Sequence, residues 1–254
     1  MKISITIVAY RNYPDIIAAI KSINEFTDPQ ILKDIYVVDN SENEESPLRN
    51  AFKQTLSALG GTYIDSGANI GFGAGHNKVL SLLTSDYHAI VNPDILLYED
   101  SFSALIKFME ENKDVAVAFP KLVSAERELL PVYRKDPTFS DMFIRRFVPF
   151  GFAKRRDAIT YADADYEKPF EIDFGQGSFV FIRTELFKKL GGFDERYFMY
   201  LEDADLCREA RKYGKVIYTP VTGVIHKWER GSKKNLKLLK IHIDSLFKYL
   251  KKWA

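Results

Sequence analysis

The chain has 254 residues, 46% of them hydrophobic, and its 36 basic and 35 acidic residues leave a formal net charge of +1. This length and apolar content suit one large domain or two small ones with a sizeable core and exclude a disordered chain, while the balanced charge gives no global field of the kind that draws nucleic acid. The single cysteine, Cys207, excludes an internal disulfide and any cysteine-rich metal site.

The first ten residues, Met1–Tyr10, lack the length and small-residue cleavage pattern of a signal peptide, and no run of about 18 apolar residues occurs anywhere. A cytoplasmic location is therefore expected. Ile3–Ala9 is β-branched and nearly all apolar, which predicts a central strand buried on both faces. A polar turn at Tyr10–Pro14 and a helix over about Asp15–Phe26 follow. Ile35–Val38 repeats the strand pattern and ends in Asp39-Asn40-Ser41. Strand, helix and strand with acids and amides at the strand end point to a parallel sheet, whose ligands sit outside its carboxyl ends. Asp39 is thus either a binding-edge residue or an ordinary turn former.

Thr62–Asp65 reads as a third strand, followed by Asn69-Ile-Gly-Phe-Gly-Ala-Gly-His-Asn77 and a helical Lys78–Leu83. Glycines at 71, 73 and 75 permit close backbone approach and free amides at a helix start, where phosphate oxygens bind. His88–Val91 is the next buried strand and runs into Asn92-Pro93-Asp94. Pro93 suits a strand end, and a carboxylate there is placed to hold a divalent cation against a diphosphate.

Ser101–Asn112 reads as an amphipathic helix and Val115–Pro120 as a strand. The stretch Ser124–Lys168 is irregular, with Pro131, Pro137, Pro149 and the basic groups Arg145-Arg146 and Lys154-Arg155-Arg156. It reads as an acceptor-side lid, a membrane-facing loop or a plain solvated loop. Gly175-Gln176-Gly177-Ser178 precedes a strand at Phe179–Ile182, and Thr184–Leu190 forms a short helix ended by Gly191-Gly192.

A helix from Glu202 to Gly214 would carry Leu206, Cys207 and Ala210 on its apolar face, with Asp203 three and four residues before the first two. Acids in a first turn offset the helix dipole, which accounts for Glu202 or Asp205. An inward Asp203 needs a partner or a raised pKa, and such acids mark sites. Lys215–Thr219 is a strand, and His226 after Val224-Ile225 is either a core histidine or a ligand. The tail 227–254 holds nine basic residues against two acidic ones, a net +7, with apolar residues recurring at three- and four-residue steps. That is a basic amphipathic helix, able to pack on the domain or lie on an anionic membrane surface.

Taken together, Ile5–Tyr10, Val37–Ser41, Asn69–Asn77, Asn92-Pro93-Asp94, Gly191–Glu195, Tyr200–Arg208 and His226 resemble the family 2 inverting glycosyltransferases of the GT-A fold. The likeness is strongest to the bacterial branch that includes rhamnosyltransferases. Only Ser124–Lys168 falls outside it. The resemblance implies an α/β fold with a mostly parallel, Rossmann-like sheet flanked by helices over residues 1–226. A nucleotide-binding half (1–120) and an acceptor half (121–226) would precede the C-terminal amphipathic helix, 227–254.

The same resemblance implies that Ala9, Tyr10, Asp39, Asn69, Gly71, Asn77 and Asn92 face the nucleotide. Asp94 and His226 would hold a divalent metal, Mg²⁺ or Mn²⁺, with imidazole the better partner for Mn²⁺. Asn92 stands where the family's D-x-D motif has its first acid. On the acceptor side it puts Glu202, Gln176 and Trp228, with Asp203 as general base. The expected partners are a nucleotide-sugar donor, with dTDP-L-rhamnose favoured, a glycan or polyprenyl-linked glycan acceptor and a peripheral membrane contact through the basic tail. No nucleic acid is expected. A non-catalytic glycan-binding or membrane-surface module and a metal-dependent nucleotidyltransferase are the competing readings. The latter usually carries its glycine-rich loop directly after the first strand, where this chain has Tyr10–Pro14.

Overall fold

The computed structural model describes residues 1–42, 46–138, 160–227 and 236–254. Strand β1 (Lys2–Ala9) lies at the centre and pairs in parallel with β2 (Leu32–Asp39) and β4 (Tyr87–Val91), while β2 pairs in parallel with β3 (Gly61–Asp65). Its alternation is physical as well as sequential. Ile3, Ile5 and Ile7 are fully buried on one face, and Ser4 and Thr6 are fully buried on the other. The two hydroxyls are satisfied by His88 of β4, whose Nδ1 lies 2.8 Å from Ser4 Oγ and whose Nε2 lies 3.4 Å from Thr6 Oγ1. Burial pushes His88 down to about 3, so the ring is neutral.

Helix α1 (Tyr13–Phe26) starts at a proline and buries Ile16, Ala19, Ile20 and Ile23 at helical spacing. Helix α2 (Pro47–Ala58) has no counterpart in the sequence reading, although Ser46 caps it by accepting from Arg49 N and Pro47 opens it. Helix α3 (Phe72–Asn77) begins inside the glycine run, earlier than the expected Lys78–Leu83, where only a 3₁₀ turn at Leu80–Leu82 is found.

The second half completes the same sheet. Strand β5 (Ile95–Leu96), helix α4 (Ser101–Glu111), β6 (Val115–Val123), β7 (Tyr133–Arg134), β8 (Phe170–Glu171), β9 (Phe174–Gly175) and β10 (Phe179–Arg183) follow in order. Helices α5 (Thr184–Leu190) and α6 (Glu202–Ala210), strand β11 (Lys215–His226) and helix α7 (Leu236–Trp253) end the described chain. The strand order is β3-β2-β1-β4-β10-β6-β11-β5. Strand β10 enters antiparallel between β4 and β6, and β11 runs parallel to β6. The strand expected over Lys215–Thr219 continues to His226 in β11, and a register irregularity between Thr219 and Gly223 absorbs Pro220.

These directions decide where the site lies. The carboxyl ends of β1, β2, β4, β6 and β11 share one rim, and the antiparallel β10 brings its amino end, with the preceding Gln176–Ser178 turn, to that same rim. A cavity of about 460 Å³ lies at the opposite rim, where Glu110 pairs with Lys113 and Arg183.

Candidate active site

On the first half of the rim, Asp39 is fully buried at the end of β2. Its Oδ2 accepts from Tyr13 OH (2.8 Å), Tyr63 OH (2.8 Å) and Arg49 Nε (3.1 Å), and its Oδ1 from Ser41 N (2.9 Å). Burial alone would raise its pKa, but hydrogen bonds from Ser41, Tyr63 and Tyr13 overcome this and hold it below the usual carboxylate range. Arg49 is itself buried and also meets Asp65 at 3.1 Å. The Asp39 carboxylate is therefore closed within the protein. Sequence reading missed Tyr13, Arg49 and Tyr63, because the last two reach Asp39 from separate elements.

Around it, Ala9 is buried and its carbonyl accepts from Asn40 N, whereas Tyr10 is 46% exposed. Asn69 is half-buried and accepts from Gly71 N. Gly71 has φ 94°, and a Cβ there would sit 2.3 Å from Phe198 O, so the position admits only glycine without rebuilding. The loop is locked to the second half by Phe72 N donating to Phe198 O at 2.9 Å and by Asn77. Asn77, expected on the nucleotide, instead clamps the chain 116 residues later. Its Nδ2 donates to Phe193 O (2.8 Å) and Glu195 Oε1 (3.0 Å), and its Oδ1 accepts from Phe193 N (2.8 Å). His76, fully buried, stacks edge-on against Phe72, and burial pushes it well below the usual imidazole range.

On the second half, α6 places its acids against the Gln176–Ser178 turn. Asp203 Oδ2 accepts from Gly177 N (3.0 Å) and Oδ1 from Ala204 N (2.8 Å), and the residue as a whole is half-buried. A Cβ at Gly177 would stand 3.3 Å from Phe72 Cε1, slightly tight, and 3.4 Å from Asp203 Cβ, an ordinary contact. Burial raises Asp203 despite these amides. Glu202 is buried, and its Oε2 has no hydrogen-bond partner among the described residues. Burial, and secondarily the Asp203 charge, raises it well above the carboxylate range.

The turn also ties this acid to the end of β4, since Asn92 N donates to Ser178 O at 2.8 Å. Two residues on, Asp94 Oδ2 lies 3.2 Å from His226 Nε2, because β5 and β11 pair antiparallel with His226 opposite Ile95. His226 is 2% exposed and Asp94 31%. Neighbouring ligands of an octahedral cation with bonds near 2.1 Å lie about 3 Å apart, so this oxygen–nitrogen pair fits two adjacent positions on a single divalent ion. Among the described residues no cluster of three or more His, Cys, Asp or Glu forms a complete cage. Gln176 is half-buried on the same turn. Trp228 and the basic groups at 145–146 and 154–156 lie outside the described residues.

A sheet of this strand order with an acid pair, a metal-fitting pair and a glycine loop on one rim is the GT-A glycosyltransferase architecture. Solved structures agree in fold. GalNAc-T7 with UDP, GalNAc and Mn²⁺ superposes with a TM-score of 0.67 at 14% identity, covering 92% of this chain and 44% of that one. The Pyrobaculum calidifontis mannosyltransferase PcManGT with GDP-Man and Mn²⁺ gives 0.61 at 16% identity, covering 91% and 58%.

The model of Glycosyl transferase family 2 matches residues 4–191, well over half of the sequence, and the chain belongs to that family. Rhamnosyltransferase WbbL of Escherichia coli (strain K12) is 29% identical over 228 residues, covering 85% of this chain and 82% of WbbL. The N-acetylglucosaminyl-diphospho-decaprenol L-rhamnosyltransferase of Mycobacterium tuberculosis is 27% identical over 177 residues, covering 64% of this chain and 57% of its own length. The chain thus spans most of one relative and little more than half of the other.

Proposed function

We propose that this chain moves L-rhamnose from dTDP-L-rhamnose to a hydroxyl of a polyprenyl-linked glycan, inverting the anomeric configuration. The observation that carries the reaction type is Asp203, a half-buried acid aimed by two backbone amides and raised by burial above the usual carboxylate range. The rhamnose donor is supported by the two relatives named as rhamnosyltransferases, and the lipid-linked acceptor by the mycobacterial name.

In this reading the acceptor hydroxyl attacks the anomeric carbon as its proton passes to Asp203. The carbon–oxygen bond to the diphosphate breaks on the opposite face, and the nucleoside diphosphate leaves. Asp94 and His226 would hold a divalent cation, which supplies charge neutralisation to the departing diphosphate. Burial and the neighbouring Asp203 charge both disfavour the ionised form of Glu202, whereas the helix start favours a charged acid. Gly177 fixes the direction of the Asp203 lone pairs.

A panel of sugar nucleotides assayed for nucleoside diphosphate release, with and without Mn²⁺ or Mg²⁺, tests this. Release from dTDP-L-rhamnose alone, dependent on metal, is expected. Release from a UDP-hexose instead would move the donor assignment, and no release from any donor would favour the non-catalytic glycan-binding reading.

A further inference from the structure

Helix α7 is two-sided, and only one side is used by the body. Facing inward, Ser245, Leu246 and Tyr249 are buried, Ser245 Oγ donates to Met199 O (2.8 Å), and Lys248 Nζ donates to Arg196 O (2.8 Å). Lys252 Nζ reaches Asp205 Oδ2 (2.7 Å) and Asp194 Oδ2 (3.1 Å), and Trp253 Nε1 donates to Asp205 Oδ1 (2.7 Å). The His242 ring stacks on Tyr200 at 4.8 Å. Every one of these contacts goes to α6 or to the segment that leads into it.

Facing outward, Leu236 is 80% exposed, Ile243 44% and Phe247 59%. At 100° per residue these three fall within about 40° of one another, and the exposed Lys240 and Lys251 fall on the same arc, with exposed Lys237 at its edge. The one acid of the helix, Asp244, is engaged by Lys248 at 2.6 Å. Large apolar side chains flanked by lysines on one exposed face match the chemistry of a headgroup–acyl boundary in an anionic bilayer, where the apolar groups insert and the ammonium groups meet phosphates. A partner protein's acidic groove would satisfy the lysines but not three separate apolar side chains spread over three turns. No helix among the described residues is long and apolar enough to cross a membrane, so the contact is interfacial.

We propose that the outer face of α7 docks this chain on anionic lipid, and that its inner face carries the docked position directly to the helix bearing Asp203. The sugar-nucleotide chemistry is not needed for the first half of this statement, so it can be tested apart from the proposed function.

The test is co-sedimentation of the full chain with vesicles of phosphatidylcholine containing roughly 30% phosphatidylglycerol, and with phosphatidylcholine alone, at low salt and without donor. Partition to the anionic vesicles is expected. Ile243→Glu with Phe247→Glu, and separately Lys237→Glu with Lys240→Glu and Lys251→Glu, should each lower it by about a hundredfold while the circular dichroism spectrum is unchanged. A wild-type chain that stays in the supernatant with anionic vesicles, or variants that partition as the wild type does, overturns the proposal. So does a vesicle-free dimer that Phe247→Glu converts to monomer, since the face would then be covered by a second copy. Rhamnosyl transfer to a soluble acceptor that survives in the docking-deficient variants would separate loss of docking from failure of the catalytic assignment.

Discussion

Two carboxylates stand at the same rim of the sheet and have opposite surroundings. Asp39 receives three side-chain donors and a backbone amide, is fully buried, and is held low. Asp203 receives two backbone amides, lies beside a second acid, is half-buried, and is held high. Burial acts in the same direction on both, so it is the donors that decide. A carboxylate closed by an arginine and two phenols is a fixed negative charge that organises a loop. One aimed by amides alone can exchange a proton with a ligand.

The largest effect should come from breaking the proton-accepting side. Asp203→Asn preserves shape and one of the two amide contacts, since its Nδ2 cannot accept the other, and should lower kcat by about 10²–10⁴-fold with the sugar-nucleotide dissociation constant within a few-fold of wild type. Single-turnover kinetics together with donor titration read both quantities, and near-normal turnover would remove Asp203 from the mechanism.

Breaking the closed side should have the complementary outcome. Arg49→Met leaves Asp39 buried without its only cationic partner among the described residues and should destabilise the fold by about 3 kcal/mol in urea unfolding. Saturated kcat at low temperature should stay within a few-fold. A variant as stable as wild type would mean that the two tyrosines suffice.

Between these extremes lies the Asp94–His226 pair, open on the acid and closed on the imidazole. His226→Ala should raise the Mn²⁺ concentration for half-activation by about 10–100-fold with little change at saturating metal. An unchanged metal titration would return His226 to a packing role.

The smallest effect sharpens the comparison through its sign. Glu202 has a folded-state pKa raised above its unfolded value, so its protonated form contributes stability below the unfolded pKa, and that contribution is lost as pH rises through the folded pKa. Glu202→Gln should therefore raise the melting temperature by about 2–4 °C at pH 8 and by less at pH 5. Asp39, with its pKa lowered, contributes stability above its unfolded pKa that is lost only as pH falls through the folded value. Asp39→Asn should accordingly destabilise at pH 8.

What the sequence made legible follows from how local each signal is. The strand ends at Asp39, Asn92 and Asp94, and the inward Asp203, were readable because period and polarity change within a few residues. The antiparallel entry of β10 was not, since strand direction depends on partners far along the chain. Asn77 shows the same limit, because its partners at Phe193 and Glu195 were invisible from the loop that carries it. Helix α2 is different, for Ser46-Pro47 is a local start signal that the acidic stretch before it obscured. The two-sidedness of α7 was only half readable. Periodicity found the stripe that includes Trp253, but Lys252, which looks like more of the basic surface, turns inward beside it to Asp205.

The place of β6 in the sheet has a consequence for how the chain is made. Its two ladder neighbours, β10 and β11, both come later in sequence, the nearer starting at Phe179. The segment Val-Ala-Val-Ala-Phe-Pro-Lys-Leu-Val therefore leaves the ribosome with no strand to pair with and waits while some sixty residues are added, about 3–12 s at ordinary elongation rates. During that interval the growing polypeptide carries an apolar strand without its ladder neighbours, which exposes the β6 segment to misassociation and to chaperone capture.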